Sequence, residues 1–421
     1  MPDDSTLDDR IYLSDVDPHA SSPVEKIDDL RARVVLHVLF ADTLLIGDSQ
    51  SLNNKYFRSL LSAEEAERVR GERPFRDVAP LADPLPPAAS APLSDLTPLL
   101  DRGHIRVARR LGSTLRELRD VLAAKGVENA AEPGYAAFLD DLTREHAVDY
   151  DGVMVSAAFK AGVLLRVEAG AEARTGDARA VLGDLRAWAQ EQRPLDYKAL
   201  RDRLATVRAG FPEASADVVS ALTQVDKWAG ESYRHALPEV LDAGLASPRD
   251  LPDLLPQSRS HRVLRLSGLP SAMLDETLLA RLPVDVLLEA LDQPARTALV
   301  GELGALRRGL APDTALLGDA AGEFAAWMSS AFTRLFAHSD DLAGARLRAE
   351  RREMELHLHE DRESARFGAE LSVRSTPEPM PAAEGSPNLS MTVVTGTDEE
   401  QPEQPARLPV SQLDPRERVM V

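Results

Sequence analysis

Proline is distributed unevenly along the 421 residues, and its positions determine where long helices can form. Residues 71–98 hold seven prolines, eight more lie at 238–312, and another eight follow Val373. Because proline lacks an N–H and clashes with the preceding helical turn, long helices are expected only outside these stretches. We therefore expect a Pro-rich loop at 71–98, short helices at 238–312 and a disordered tail over 369–421.

Between these stretches, apolar residues recur at helical spacing. The first helix is predicted to begin at Ser22, whose hydroxyl can cap free amides, with Pro23 at the first helical position. Further helices are predicted at 134–146, 151–167, 177–191, 196–208, 215–242 and 313–338. Aromatic residues make up only 5% of the chain, which disfavours a β-sandwich. The pattern predicts a mainly α-helical, multi-helix protein with disordered termini.

Two segments in the N-terminal part have strand character. Ile105 and Val107 alternate with polar neighbours, as in a half-buried strand. The apolar run from Val34 to Gly47 fits either a buried helix or a buried strand ending near Asp48, because periodicity does not separate the two in a short run. We expect a few short strands within an otherwise helical N-terminal domain.

These signals divide the chain into five parts. The expected order is an acidic arm (1–21), an N-terminal domain with the Pro-rich insertion (22–170), a helical domain (171–338), a long charged helix (339–368) and the tail (369–421). A thin apolar stripe of Leu347, Met354 and Leu358 supports the long helix. Leu389 to Thr395 forms a β-prone island in the tail, which is either incidental or a peptide that docks by adding a strand to a sheet.

Charge and cysteine content limit the classes of partner. The formal net charge is −20, so broad binding to nucleic acid or an anionic membrane is not expected. Cysteine is absent, which excludes disulfides, zinc–thiolate sites and a cysteine nucleophile. The start carries neither a basic region nor an apolar stretch, and no apolar run reaches the roughly 20 residues that span a bilayer. We expect a cytoplasmic protein, and the 43 Arg against six Lys indicate a GC-rich bacterial genome.

Familiar catalytic motifs are missing from the sequence. It contains no phosphate-binding Gly-x-x-x-x-Gly-Lys-Ser/Thr, no Gly-x-Gly-x-x-Gly, no Gly-x-Ser-x-Gly and no His-Glu-x-x-His. We therefore expect no cofactor. His357, His359, Glu360 and Asp361 resemble metal ligands, but on the predicted helix His359 lies away from His357, which favours a solvated helix face.

Arginines concentrate between Arg102 and Arg119. Arg106, Arg109 and Arg110 form a candidate patch for a phosphate group or an acidic partner, because guanidinium groups donate two hydrogen bonds to planar oxyanions. The alternative, which we favour, is that these arginines pair with the protein's own carboxylates. Arg259, His261, Arg262 and Arg265 form a second, weaker cluster with the same two interpretations.

Carboxylates in the first 170 residues follow strand and helix signals in a suggestive order. Asp48, or Asp42 in another register, adjoins the first apolar segment; Glu117 lies in a helix start after Ile105–Val107; and Asp151 follows Tyr150. This order resembles the PIN-like nucleases over residues 34–170. The resemblance implies that Asp48, Glu117 and Asp151, with Glu168, hold Mg²⁺ or Mn²⁺ for phosphodiester hydrolysis.

The same acids also have simpler explanations. Solvated carboxylates and helix caps account for Asp48, Glu117 and Asp151 without a metal, and the polar run from Asp48 to Asn54 fits a turn and a helix N-cap better than a binding site. We expect an interaction or regulatory protein that binds protein partners through helical surfaces. The alternatives are a metal-dependent nuclease and a small-molecule sensor with a pocket in the helical domain.

Overall fold

The computed structural model describes residues 9–13, 23–47, 54–61, 96–112, 146–210, 215–246, 261–267, 275–307, 310, 313–336, 352–361, 366–375, 388–394 and 408–409. For the strands after residue 260 it describes the backbone and the pairing. Helices account for most of these residues, which confirms the mainly α prediction. Among them, no helix combines the length and apolar character needed to cross a membrane.

Eleven helices occur in this described part of the chain. They are α1 (Pro23–Leu39), α2 (Lys55–Leu61), α3 (Thr97–Asp101), α4 (Gly152–Glu172), α5 (Gly176–Glu191), α6 (Tyr197–Gly210), α7 (Ala216–Val240), α8 (Glu276–Ala280), α9 (Val284–Leu291), α10 (Pro294–Arg307) and α11 (Thr314–Phe336). The helices expected at 151–167, 177–191, 196–208, 215–242 and 313–338 are confirmed as α4, α5, α6, α7 and α11. The helix expected at 134–146 lies almost entirely outside the described residues.

Ten strands are described, and they share one sheet. They are β1 (Arg10–Leu13), β2 (Thr43–Gly47), β3 (Ile105–Arg110), β4 (Ala147–Tyr150), β5 (Gly244–Ala246), β6 (His261–Ser267), β7 (Arg352–Asp361), β8 (Arg366–Ser375), β9 (Asn388–Val394) and β10 (Leu408–Pro409). Their order is β10-β9-β6-β7-β8-β5-β1-β2-β3-β4. The short strands expected in the N-terminal domain are confirmed as β2, β3 and β4, and β3 covers the predicted Ile105 and Val107. β1 lies within the arm expected to be disordered at 1–21, so that expectation is wrong at Arg10–Leu13, where the chain pairs in parallel with β2.

The chain forms two compact units. The first comprises residues 1–148, 244–250 and 259–421, and the second comprises 149–243 and 251–258. The larger part of the second unit, residues 149–243, is therefore inserted in the sequence between the first half of β4 and β5. The boundary expected at residue 170 falls inside α4, which is continuous from Gly152 to Glu172.

The parallel part of the sheet organises the first unit. β1 pairs in parallel with β2 on one side and β5 on the other, and β2 pairs in parallel with β3. Asp9, Asp42 and His104 immediately precede β1, β2 and β3, so they lie at the same edge of the sheet. Parallel strands buried on both faces read as continuous apolar runs, as Leu44-Leu45-Ile46 does.

The ambiguous run from Val34 to Gly47 is a helix followed by a strand. α1 ends at Leu39, and two arginines of α10 meet its last carbonyl oxygens. Arg296 donates to the carbonyls of Val38 (3.0 Å), Leu39 (3.3 Å) and Ala41, and Arg307 donates to that of Phe40 (3.0 Å). These donors satisfy the carbonyls that a helix end leaves free, which allows the helix to stop inside the core.

The long charged helix expected over 339–368 is wrong where the structure describes it. Residues 352–361 form β7, and β8 begins at Arg366. The stripe of Met354 and Leu358 belongs to a strand alternation in which Leu356 is also apolar and residues 353, 355, 357 and 359 are polar. A period of two residues favours a strand and outweighs the sparse helical stripe.

The disordered tail expected over 369–421 is also wrong in part. β8 continues to Ser375, β10 covers Leu408–Pro409, and the β-prone island forms β9. β9 pairs antiparallel with β6, so this segment adds a strand to the protein's own sheet. The expectation of only short helices at 238–312 likewise misses β5 and β6, while α8, α9 and α10 all lie within this range and agree with it.

The second unit consists of α4 to α7 and has its own core. Buried Phe159, Val163 and Val167 of α4 pack with apolar residues of the other three helices. At Gly170 of α4, a Cβ atom would lie 2.1 Å from the ring of Trp228 on α7. The glycine is therefore required for the two longest helices of the unit to approach at this point.

Candidate protein-interaction surface

Helix α4 is apolar on more sides than its core contacts require. Of its 21 residues, only Lys160, Arg166, Glu168 and Glu172 carry charge. A helix of a single compact unit normally has a polar face opposite the buried one. The composition of α4 therefore indicates that a second side of the helix is also suited to burial.

That second side is an exposed row of apolar residues, which we call the α4 ridge. Its members are four residues apart along the helix: Val153, Ala157, Ala161, Leu165 and Ala169. Val153 is 72% exposed and Leu165 is 41% exposed, Ala157 and Ala169 are exposed, and Ala161 is half-buried. Met154, next to the first member, is 56% exposed.

The charged side chains of α4 bind within their own unit and leave the ridge uncharged. Lys160 donates to the carbonyls of Gln190 (2.6 Å) and Gln192 (2.7 Å) at the end of α5. Arg166 donates to the hydroxyl of Ser232 on α7 at 3.0 Å. Glu168 is 2.7 Å from Arg186 of α5. Of the four, Glu172 alone has no such contact among those described, and it lies in the last turn of the helix.

The ridge has the geometry that helices use to pack together. Residues four apart form the ridges that fit into the grooves of a neighbouring helix. From Val153 to Ala169 the ridge is about 24 Å long, at about 1.5 Å per residue. Small alanines at its centre allow a close approach, and larger side chains at Val153 and Leu165 supply apolar area. Large contiguous exposed apolar patches are typical of interaction sites, which makes the ridge a candidate.

A polar cluster between α4 and α7 is centred on buried Glu231 and Ser232, with Arg234 and His235 partly exposed beside them. Glu231 contacts Arg234 at 3.3 Å, and its carboxylate lies 3.9 Å from Nε2 of His235. Burial, reinforced by Arg166 and Arg234, lowers the pKa of His235 to about 3. The imidazole is therefore neutral at physiological pH and does not add a further positive charge beside the two arginines.

The predicted metal-binding acids do not come together where they are described. Asp151 is the N-cap of α4, and its carboxylate accepts a hydrogen bond from the Val153 amide at 2.8 Å. Glu168 lies 17 residues further along the same helix, about 25 Å away at 1.5 Å per residue. The two cannot share an ion. Asp48 and Glu117 lie outside the described residues.

Asp42 has a structural role at the amino edge of the parallel strands. Its carboxylate accepts the amide of Asp9 at 3.1 Å and lies 3.5 Å from Arg296, and its carbonyl oxygen is 3.1 Å from Nδ1 of His104. Ligands of open parallel sheets bind at the opposite, carboxyl edge. Among the residues whose side chains the structure describes, no three His, Asp or Glu residues converge as a metal site.

The candidate arginine patch lies along β3. Arg106 and Arg110 are exposed and Arg109 is half-buried, so the patch stays a prediction. Arg102, at its start, pairs with Asp292 at 3.1 Å, which is the pairing with the protein's own carboxylates that we favoured. Asn54 caps α2 by accepting the amides of Tyr56 (2.9 Å) and Phe57 (3.0 Å), in agreement with the cap interpretation at that residue.

Sequence reasoning did not find the α4 ridge. The signal was present, because residues 152–172 are apolar all round and lack the polar face of a surface helix. Which apolar residues are exposed depends on how α5 and α7 pack against α4, and the sequence pattern alone does not provide this. Comparisons with protein-family models, with curated proteins and with solved structures found no match to the chain.

Proposed function

We propose that this is a cytoplasmic interaction or regulatory protein that binds a protein partner through the α4 ridge. The partner presents an apolar helix, which lies along the ridge and covers Val153 and Leu165. The first unit, which contains the mixed sheet, supplies the chain segments on either side of the helical insertion in the sequence.

The observation that supports the proposal is the uncharged row of five apolar residues on one helix, of which four are exposed and Ala161 is half-buried. Lone exposed apolar residues are normal on protein surfaces, but a row that follows the packing geometry of helices is not. The inward contacts of Lys160, Arg166 and Glu168 strengthen the argument, since these side chains could otherwise have covered the ridge with charge.

The test compares two matched substitutions in the full chain. Ala157→Arg places a charge in the middle of the ridge, and Ala187→Arg places the same charge at an exposed alanine of α5. Both sites are exposed, so neither change is expected to unfold the unit. Wild type and both variants are purified from cells under the same conditions, and the proteins that co-purify are quantified by mass spectrometry.

The proposal predicts a partner whose recovery falls at least tenfold with Ala157→Arg and stays at the wild-type level with Ala187→Arg. Equal recovery of every co-purifying protein with the two variants would contradict it. Light scattering of the same samples measures the mass of the complex. A mass of two chains that falls to one with Ala157→Arg would assign the ridge to self-association and overturn the proposed partner.

A further inference from the structure

The exposed charges at the two ends of the α4 ridge are all negative. Asp149, Asp151 and Glu172 are exposed, and the other charged residues of 149–172 are half-buried. Asp151 lies two residues before Val153, the first member of the ridge, and Glu172 lies three residues after Ala169, the last member. The ridge is therefore an uncharged row of apolar side chains with acidic residues at both ends.

Glu172 is at a position that is unfavourable for an acid. It is the last residue of α4, where the helix dipole presents partial negative charge. Glu168, four residues earlier, is also acidic, and like charges at this spacing repel each other. Arg186 of α5 pairs with Glu168 at 2.7 Å, and within the described part of the chain Glu172 makes no such contact. A cation beside Glu172 would be attracted by its carboxylate and by the helix end.

The basic residues in and next to α4 do not offset this charge. Lys160 and Arg166 are half-buried and donate to groups of α5 and α7. Arg174, two residues after the helix, donates to the carboxylate of Asp217 at 2.7 Å. The formal net charge of −20 adds a general repulsion towards acidic molecules. Since charges at the rim of an interface govern the choice of partner and the rate of association, the partner should be basic there.

Given the function proposed for the α4 ridge, we infer that the bound helix is amphipathic and has basic residues at its ends. Its apolar face covers Val153 to Leu165, and a Lys or Arg near each end pairs with Asp151 or Glu172. These two acids are 21 residues apart in the helix. At about 1.5 Å per residue they are about 32 Å apart, so about 20 residues of the bound helix separate its basic ends.

Two synthetic helical peptides that differ only in the charge of their ends serve as probes. Both have about 24 residues, enough to span the two acids, and an apolar face of leucine and alanine. One peptide has lysines at both ends, and the other has glutamates there. Binding of each labelled peptide to the full chain is measured by fluorescence anisotropy at about 20 mM and about 500 mM NaCl, since salt screens charge attraction.

Four variants of the full chain locate the bound lysine peptide. Ala157→Glu places a carboxylate in the middle of the ridge, and Ala187→Glu places one at an exposed alanine of α5. General attraction of a basic peptide to an acidic chain would strengthen binding to both, whereas docking on the apolar row is weakened by Ala157→Glu alone. Glu172→Gln removes the acid at the end of the ridge, and Glu191→Gln removes the exposed acid at the end of α5.

The lysine peptide is expected to bind at least about tenfold more tightly than the glutamate peptide in low salt, with a smaller ratio in high salt. Ala157→Glu weakens its binding at least about tenfold, because a carboxylate is then buried in an apolar contact. Glu172→Gln weakens it about two- to fivefold, the effect of one exposed ion pair. Ala187→Glu and Glu191→Gln do not weaken it.

Equal binding of the two peptides, or no binding of either, overturns the inference. So does a lysine peptide that binds Ala157→Glu as tightly as it binds wild type. The proposed function fails on a different result, namely that Ala157→Arg leaves every co-purifying protein at the wild-type level. Two peptides that bind equally and are both lost with Ala157→Glu would leave a helix-binding ridge and remove only the requirement for basic ends.

Discussion

In the first unit, individual buried arginines donate hydrogen bonds to the carbonyl oxygens that are left free at helix ends. Arg31 of α1 donates to the carbonyls of Leu279 (3.2 Å), Ala280 (3.0 Å) and Leu282 (2.8 Å) at the end of α8. Arg296 and Arg307 of α10 do the same at the end of α1. Each guanidinium has five donors in a fixed plane, so one side chain satisfies several carbonyls. These residues connect helices that are distant in sequence.

Arg307 and Asp9 form a buried ion pair, in which both side chains are no more than 5% exposed. Arg307→Met is expected to lower the free energy of unfolding by about 3–5 kcal/mol, because it leaves the Asp9 carboxylate buried without its counter-charge. Asp9→Asn is destabilising for the same reason. Chemical denaturation should show that the double variant loses less free energy of unfolding than the two single variants lose in sum. Additive costs would mean that the pair is not coupled.

His37 makes stability depend on pH. It is 3% exposed, and burial, followed by the nearby Arg33, lowers its pKa from 6.5 to about 3. Between pH 6.5 and pH 3, His37 is therefore protonated in the unfolded chain but neutral in the folded chain. Above pH 6.5 the protonation of His37 does not affect the free energy of unfolding. Below pH 6.5 that free energy falls by up to about 1.4 kcal/mol per pH unit.

His37→Leu removes this dependence and keeps an apolar side chain in the core. The free energy of unfolding of the variant, minus that of wild type, should be larger at pH 5 than at pH 8, as measured by urea denaturation of both proteins at both pH values. His235 contributes in the same direction in both proteins, so the difference between them reports His37. The same difference in free energy of unfolding between variant and wild type at pH 5 and pH 8 would contradict the buried, neutral state of His37.

At the scale of helices and strands, packing of α4 against α7 depends on Gly170. Gly170→Ala is expected to destabilise the second unit by about 1–3 kcal/mol, because the new Cβ atom would overlap Trp228. Gly183 of α5 is the matched control, since its Cβ position has no neighbour within 4 Å. Gly183→Ala should stabilise the unit by up to about 1 kcal/mol. Thermal unfolding followed at 222 nm checks both, and equal effects would refute the close contact.

Helices were easier to predict from the sequence than strands. α7 carries both an apolar period and an N-cap, Ser215, and α4 is a long apolar run that begins at an N-cap, Asp151. β5 has three residues, too few for any alternation, and its place beside β1 follows from pairing with a segment more than 200 positions away. β7 had the alternation, but its many charged residues resembled a solvated helix.

At the scale of the whole molecule, most of the second unit is one stretch of chain, residues 149–243, and this stretch has its own core. All buried members of that core lie between Ala158 and Ala236. A fragment of residues 149–243 is therefore expected to fold alone, with helical circular dichroism and cooperative thermal unfolding. A gradual, non-cooperative loss of helix in the fragment would show that the unit depends on the remainder of the chain.

The candidate surface could be predicted only in part at this scale. The sequence shows that α4 lacks a polar face, and the structure adds that Lys160 and Glu168 turn towards α5 and leave the ridge bare. The acids that resemble a nuclease site show the limit of sequence order. Asp151 and Glu168 are close in the pattern of motifs but lie near opposite ends of one helix.

Site-specific photo-crosslinking at Leu165 tests the central claim most directly. A benzophenone amino acid replaces Leu165 in the full chain, with and without Ala157→Arg, and cells are irradiated. The account predicts one discrete adduct with another protein, formed from the wild-type ridge and lost when Ala157 is replaced by arginine. An adduct that forms within the same chain, or one that is unaffected by Ala157→Arg, would contradict it.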